Sequence, residues 1–246
     1  MRSAPREILE LVRSVRENPS SGFYRELWRG QERFESLPVV SRTDFIRVPL
    51  SKRRYKNAMG MVKIVGAGEY AFLSESSFED LAAEALAPHS RRPMVYMSDP
   101  YEAIEKAMWC YEHGMTPLIG EKDPELAMYA AGRYRIDSLI TDQEAIMKFG
   151  RFFQTLSRPL DSITVIGSAF APRALMPFSQ HTSTFRLVLS LPETGPFAQA
   201  TLSEHPVFSA LDHAFIEHDG GVILTKNAGY PTPIIRYRTG VASDLF

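Results

Sequence analysis

Between Met61 and Leu189, short apolar segments alternate with amphipathic ones that carry helix-start signals, and that alternation leaves few folds open. Pro93-Met-Val-Tyr-Met97, Thr116-Pro-Leu-Ile119, Asp137-Ser-Leu-Ile140, Ser162-Ile-Thr-Val-Ile166 and Thr184-Phe-Arg-Leu-Val-Leu189 read as strands. Helices are expected from Asp99-Pro100 to Gly114, from Asp123-Pro-Glu-Leu onward, and after Thr141-Asp-Gln-Glu144. The last has the capping-box spacing, in which a hydroxyl and a carboxylate three residues on satisfy exposed helix amides reciprocally. Ser76-Ser-Phe-Glu79 has the same spacing, after a candidate strand at Met61-Val-Lys-Ile-Val65 and its partner at Tyr70-Ala-Phe-Leu73. Parallel strands need long crossovers, usually helical, so this period predicts an α/β fold: a doubly wound, mostly parallel sheet with flanking helices.

From about His205 the helix signals fade. His213-Ala-Phe-Ile-Glu217, Gly221-Val-Ile-Leu-Thr225 and Pro233-Ile-Ile-Arg-Tyr237 predict a β-rich C-terminal portion, with Asp219-Gly-Gly221 as a hairpin turn. At the other end, Ile8, Leu11, Val12 and Val15 recur at helical spacing until Asn18-Pro19. Phe23, Tyr24 and Trp28 form a second short apolar face, and Thr43-Asp44 is a candidate cap for a third helix. No linker composition divides the chain. The expected organisation is one domain over 1–246, with an α/β body at 1–204 and a β-rich tail at 205–246.

Charge and cysteine content narrow the function classes. A net charge of −1 gives no overall attraction to nucleic acid or to an anionic membrane. The short basic run Ser51-Lys-Arg-Arg-Tyr-Lys56 reads as a solvated loop or as a phosphate or CoA contact. No apolar run approaches the roughly 20 residues of a membrane span, and no signal peptide is apparent, so a cytoplasmic location is expected. The single cysteine, Cys110, lies in an apolar stretch of expected helix and reads as a buried thiol. The six histidines are scattered without zinc spacing. Ser190 lacks the flanking glycines of a nucleophile elbow.

Four segments, in order, resemble motifs of the AMP-forming acyl-CoA ligases, particularly the phenylacetate-CoA ligase branch. Thr232-Pro-Ile-Ile-Arg-Tyr-Arg-Thr-Gly240 resembles that branch's arginine-tyrosine-arginine-threonine-glycine-aspartate signature, and Gly220-Gly-Val-Ile-Leu-Thr225 the glycine-led strand before it. Leu189-Ser-Leu-Pro-Glu-Thr-Gly195 stands where the branch has an aromatic-glycine-x-threonine-glutamate motif. Gly167-Ser-Ala-Phe-Ala-Pro172 stands at the glycine-rich turn against adenine. Phe23-Tyr-Arg-Glu-Leu-Trp28 and Leu37-Pro-Val-Val-Ser-Arg-Thr-Asp-Phe45 also resemble the opening of that branch.

The resemblance implies a large-domain scaffold whose ligand or nucleotide cleft, between body and tail, is lined by Gly167, Ser168, Ala169, Leu189, Ser190, Glu193, Thr194, Tyr237, Thr239 and Val241. Adenylation needs a phosphate loop, a magnesium carboxylate and a grip on ribose. At the phosphate-loop position Gly66 and Gly68 remain, in Ile64-Val-Gly-Ala-Gly-Glu-Tyr-Ala-Phe-Leu73, without the hydroxyls and the lysine. Where the signature's ribose-binding aspartate should follow Gly240, this sequence has Val241. The adenine-packing aromatic is matched by Leu189 and the motif threonine by Pro192, so Glu193 alone keeps its implied role as a Mg²⁺ ligand. The small C-terminal lid domain, with its catalytic lysine, is expected to be absent beyond Phe246.

The leading expectation is therefore a degenerate, non-catalytic or auxiliary protein that binds a small carboxylate or acyl ligand, or a protein partner. The alternatives are a minimal ligase using ATP and Mg²⁺ with a lid supplied in trans, and a structural subunit of a larger assembly. The resemblance also implies self-association as a homodimer.

Overall fold

The amphipathic start of the chain forms the Arg6–Glu17 helix, which buries Ile8, Val12 and Val15 on one face. The structure is a computed structural model that describes residues 4–19, 21–54, 60–67, 70–77, 90–120, 122–156, 158–226 and 232–246. Two compact units are present, one made of residues 1–80, 191–197 and 210–246, the other of 81–190 and 198–209.

In the first unit, helices Gly22–Leu27 and Arg42–Arg47 follow the initial one. The cap of Arg42–Arg47 is Ser41, two residues before Thr43, and its hydroxyl accepts from the Asp44 amide at 3.1 Å and donates to the Asp44 carboxylate at 2.6 Å. Strands β1 (Gly60–Ala67) and β2 (Tyr70–Ser77) pair as an antiparallel hairpin. Ser76 pairs with Met61 inside β2, while Glu79, the other half of the capping-box pattern, lies outside the described residues.

The second unit is built on parallel strands. β3 (Pro93–Tyr96) is flanked by β4 (Leu118–Ile119) and β5 (Ser138–Asp142), then β6 (Leu160–Gly167) and β7 (Thr182–Leu191) follow, every pair parallel. β8 (Gly195–Thr201) and β9 (Ser209–Ala210), whose residues 195–197 and 210 belong to the first unit, bring the sheet to seven strands in the order β4-β3-β5-β6-β7-β8-β9. The doubly wound, mostly parallel sheet expected from the alternation is thus present, and β3, with four buried residues in succession, is a central strand covered on both faces. Helices Pro100–Glu112 and Pro124–Tyr134 start where Asp99 and Asp123 accept from amides of their first turns. For Gln143–Phe149 the cap is Asp142 rather than Thr141, accepting from Ala145 at 2.8 Å. Trp109, Cys110, Val95, Ile140, Ile166 and Val188 share one core cluster. Burial there pushes the Cys110 thiol up to about 12, so it stays protonated and unreactive.

One carboxylate ties this unit together. Asp137 accepts from the Arg91 and Arg92 amides at 2.9 and 3.0 Å and from the Ser90 and Ser138 hydroxyls. Burial alone would raise its pKa, but these hydrogen bonds outweigh it and hold the carboxyl below its ordinary range. The stability this contributes is present above the unfolded-state value near pH 4 and is lost as pH falls through the lower folded value. Asp137→Asn should lose about 1–3 kcal/mol at neutral pH. Its acid-unfolding curve below about pH 4 should be flatter than the wild type's, as read by circular dichroism.

Back in the first unit, β10 (Ala214–His218), β11 (Val222–Lys226) and β12 (Ile234–Arg238) form an antiparallel sheet in that order, as the β-rich C-terminal pattern predicts. The turn at Asp219-Gly-Gly221 places Gly220 at φ 62°, a conformation that glycine adopts without steric cost.

Candidate functional site

The local chemistry begins with a bulge. Leu224 pairs with Tyr237 and Lys226 with Ile234, so Thr225 alone opposes both Ile235 and Arg236. The Arg236 amide turns to the Thr225 hydroxyl at 3.0 Å, and Arg236 takes a left-handed φ of 47°. Its guanidinium pairs with Glu217 at 3.1 Å, and it also donates to the carbonyls of Glu35 and Leu37. Its carbonyl accepts from Val40 at 2.8 Å, while Arg238 donates to the Val40 carbonyl at 2.9 Å. The segment before the Arg42–Arg47 helix is thereby fixed alongside β12.

Arg42, two residues beyond that bridge, reaches Glu193. Nε lies 3.0 Å from Oε1, and Nη2 donates to Oε2 at 3.3 Å. Tyr237 donates its hydroxyl to Oε1 at 2.5 Å, with its ring edge-on to Phe45 at 5.4 Å. Burial and then the Glu193 carboxylate push the Tyr237 phenol far above its ordinary value, so it remains a donor throughout the physiological range. The Glu193 side chain is only 1% exposed, against 43% for Arg42. This is a charge-assisted, forked arrangement in which both carboxylate oxygens have partners.

The Glu193 turn is itself pinned. Lys226, buried at the end of β11, donates to the carbonyls of Thr194 and Pro196, both at 2.8 Å. His213 Nε2 also lies 3.3 Å from the Pro196 carbonyl. Thr194 is buried and donates to the Gly195 carbonyl at 3.0 Å. Thr239 donates to the Val222 carbonyl and accepts from the Val241 amide, and the Val241 carbonyl accepts from Val222. The Val241 side chain is buried, with its backbone closing the end of the sheet.

Of the sequence candidates, Glu193 and Tyr237 are brought into direct contact, with Thr194 next to Glu193 and Thr239 and Val241 on the continuation of β12. In the other unit Gly167 ends β6 beside Leu189 of β7; Ser168 and Ala169 are exposed, Ser190 is half-buried and Leu189 is fully buried. A Cβ at Gly167 would lie 3.3 Å from the Ala169 carbonyl oxygen, a contact that the turn could take only by shifting a few tenths of an ångström. Gly66 lies in β1 opposite Ala71, and Gly68 lies outside the described residues. Arg42 and Lys226 were not among the candidates. Among the described residues no group of three or more His, Cys, Asp or Glu side chains could hold a metal ion, and no helix is long and apolar enough to cross a membrane.

No protein-family model and no curated protein matches the sequence. Solved structures do match in fold. A 2-hydroxyisobutyryl-CoA ligase in complex with 2-HIB-AMP and CoA is similar with a TM-score of 0.70 and 11% identity, over 95% of this chain and 67% of that one. The amide bond synthetase McbA from Marinactinospora thermotolerans matches with a TM-score of 0.56 and 14% identity, over 70% and 41%. The O-succinylbenzoate coenzyme A synthetase MenE from Bacillus subtilis matches with a TM-score of 0.56 and 7% identity, over 71% and 42%. The protein has the fold of the large N-terminal domain of AMP-forming acyl-CoA ligases. It spans about two thirds of the first of these chains and well under half of the other two.

Proposed function

We propose that this protein keeps the adenylate-forming fold without adenylating chemistry, and acts as an auxiliary protein that holds a small carboxylate or acyl ligand or a protein partner. The observation that carries this is the state of Glu193. Its carboxylate is buried, and Arg42 and Tyr237 engage both of its oxygens. A magnesium ion would need those oxygens and an open coordination sphere around them. Here a guanidinium already supplies the neutralising charge. The Mg²⁺–nucleotide that the fold implies therefore does not fit the residues at this place. Val241 adds to the misfit, because an apolar side chain offers ribose hydroxyls no acceptor. The ligand class follows from the fold alone and rests on the similarity to acyl-CoA ligases.

Calorimetry with Mg-ATP is expected to show no binding tighter than the millimolar range. Carboxylate-dependent exchange of pyrophosphate into ATP should be absent with a panel of aryl and alkyl carboxylates. Micromolar Mg-ATP binding, or exchange that Glu193→Ala abolishes, would overturn the proposal in favour of an active AMP-forming ligase.

A further inference from the structure

The contact between Arg42 and Glu193 uses one edge of the guanidinium and leaves the other. Nε lies 3.0 Å from Oε1 and Nη2 donates to Oε2 at 3.3 Å, which commits the side edge to the carboxylate. A guanidinium presents five N–H donors in one plane, so one on Nη2 and both on Nη1 remain. Among the described residues no acceptor meets them. They point away from Glu193, and the exposure of the pair lies on their side: the Arg42 side chain is 43% exposed, the Glu193 side chain 1%.

An ordinary surface arginine must give up its rotamer freedom to bind anything. Here the group is already held. Val40 bridges to Tyr237 two residues before Arg42, Glu193 takes Nε and Nη2, and Tyr237 donates to the same carboxylate at 2.5 Å. A fixed planar pair of donors matches the two oxygens of a second carboxylate. Charge then selects among anions. Arg42 and Glu193 cancel formally, so a ligand meets a dipole with its positive end outward, not a net cation. The pull of a dipole grows in proportion to the ligand's charge, whereas the cost of stripping water from the ligand grows with the square of that charge. A monoanion therefore fits better than a phosphate dianion. Asp44, exposed and two residues along the same helix, adds a like charge that disfavours the dianion further.

Resting on the reading of Glu193 given above, we propose that the outer edge of Arg42 is the anchor for a small monocarboxylate. The ligand's two oxygens accept from Nη1 and Nη2, while Glu193 keeps the inner edge and so positions the guanidinium instead of holding a metal.

The test titrates the full chain with sodium benzoate, inorganic phosphate or sodium chloride at matched ionic strength and neutral pH, followed by NMR. Benzoate should move the Arg42 side-chain N–H signals along a saturable curve in the millimolar range. Phosphate and chloride should act at least tenfold more weakly. Arg42→Lys keeps a counter-charge for Glu193 but lacks the planar outer edge. Its melting temperature should stay close to the wild type's, while its benzoate affinity, read on the backbone amides of residues 42–45, should fall at least tenfold. A flat benzoate titration, a chloride response of equal size, or an unchanged affinity in Arg42→Lys would overturn the anchor. A tighter response to phosphate would overturn the choice of carboxylate. Mg-ATP separates this inference from the reading beneath it. If Mg-ATP breaks the contact between Arg42 and Glu193, that reading falls and the anchor with it. If the contact survives Mg-ATP and benzoate does nothing, the anchor alone falls.

Discussion

Arg236→Ala is expected to destabilise the protein by about 3–5 kcal/mol at pH 7.5, the range for removing one partner of a buried ion pair. The Arg236 and Glu217 side chains are each 8% exposed, so the change leaves Glu217 buried without its counter-charge. It also strips a donor from the Glu35 and Leu37 carbonyls, which hold the segment leading to Arg42. For a chain of this size the melting temperature should fall by roughly 10 °C or more. Two companion measurements make the mechanism specific. Burial already holds the Glu217 carboxyl above its ordinary pKa, with Arg236 pulling the other way. Without Arg236 it should rise further. An acid with a raised folded pKa contributes stability below its unfolded value and loses it as pH rises through the folded value. The penalty in Arg236→Ala should therefore be smaller at pH 5 than at pH 7.5. Arg236→Gly removes the same contacts but relieves the left-handed backbone at φ 47°, so it should be less damaging than alanine by about 1 kcal/mol. An equal or larger loss for glycine would show that the bulge stores no strain.

The strands were legible where one local pattern ran the length of an element. β6 and β7 follow their apolar runs, and the hairpin from β10 to β11 follows its glycine turn. Elements decided by distant partners were not. β8 begins Gly195-Pro196-Phe197-Ala198, a start rich in residues that strands disfavour, and it forms because β7 and β9 flank it. The caps at Ser41 and Asp142 are displaced from Thr43 and Thr141, since several capping residues adjoin and only geometry chooses among them. In the candidate site, Glu193 and Tyr237 stood out through motif resemblance, but what holds them did not. Arg42 meets Glu193 across 151 residues of sequence, a pairing for which a single sequence has no signal. Lys226 follows the apolar residues of β11 and reads as a charged strand end in water, because lysine is almost never fully buried unless paired.

Lys226→Met is the sharper probe of that site, since methionine keeps an unbranched four-atom stem and removes the terminal ammonium. The ammonium spans two carbonyls of the turn that carries Glu193, so its loss takes a donor from both the Thr194 and Pro196 carbonyls. Each unpaired buried carbonyl costs about 1–3 kcal/mol, while removing the buried charge returns part of its desolvation penalty. The net expectation is a loss of about 2–4 kcal/mol in urea unfolding. A local consequence distinguishes this from general damage. The Thr194 amide donates to Leu191 across the turn at 3.1 Å, and its hydrogen exchange should accelerate at denaturant concentrations too low to unfold the sheet. Amides of β5 and β6, in the other unit, should keep their protection there. If Lys226→Met instead left the protection of residues 191–197 unchanged, the lysine would be packing against the turn without setting its position. Glu193 would then owe its placement to Arg42 and Tyr237 alone.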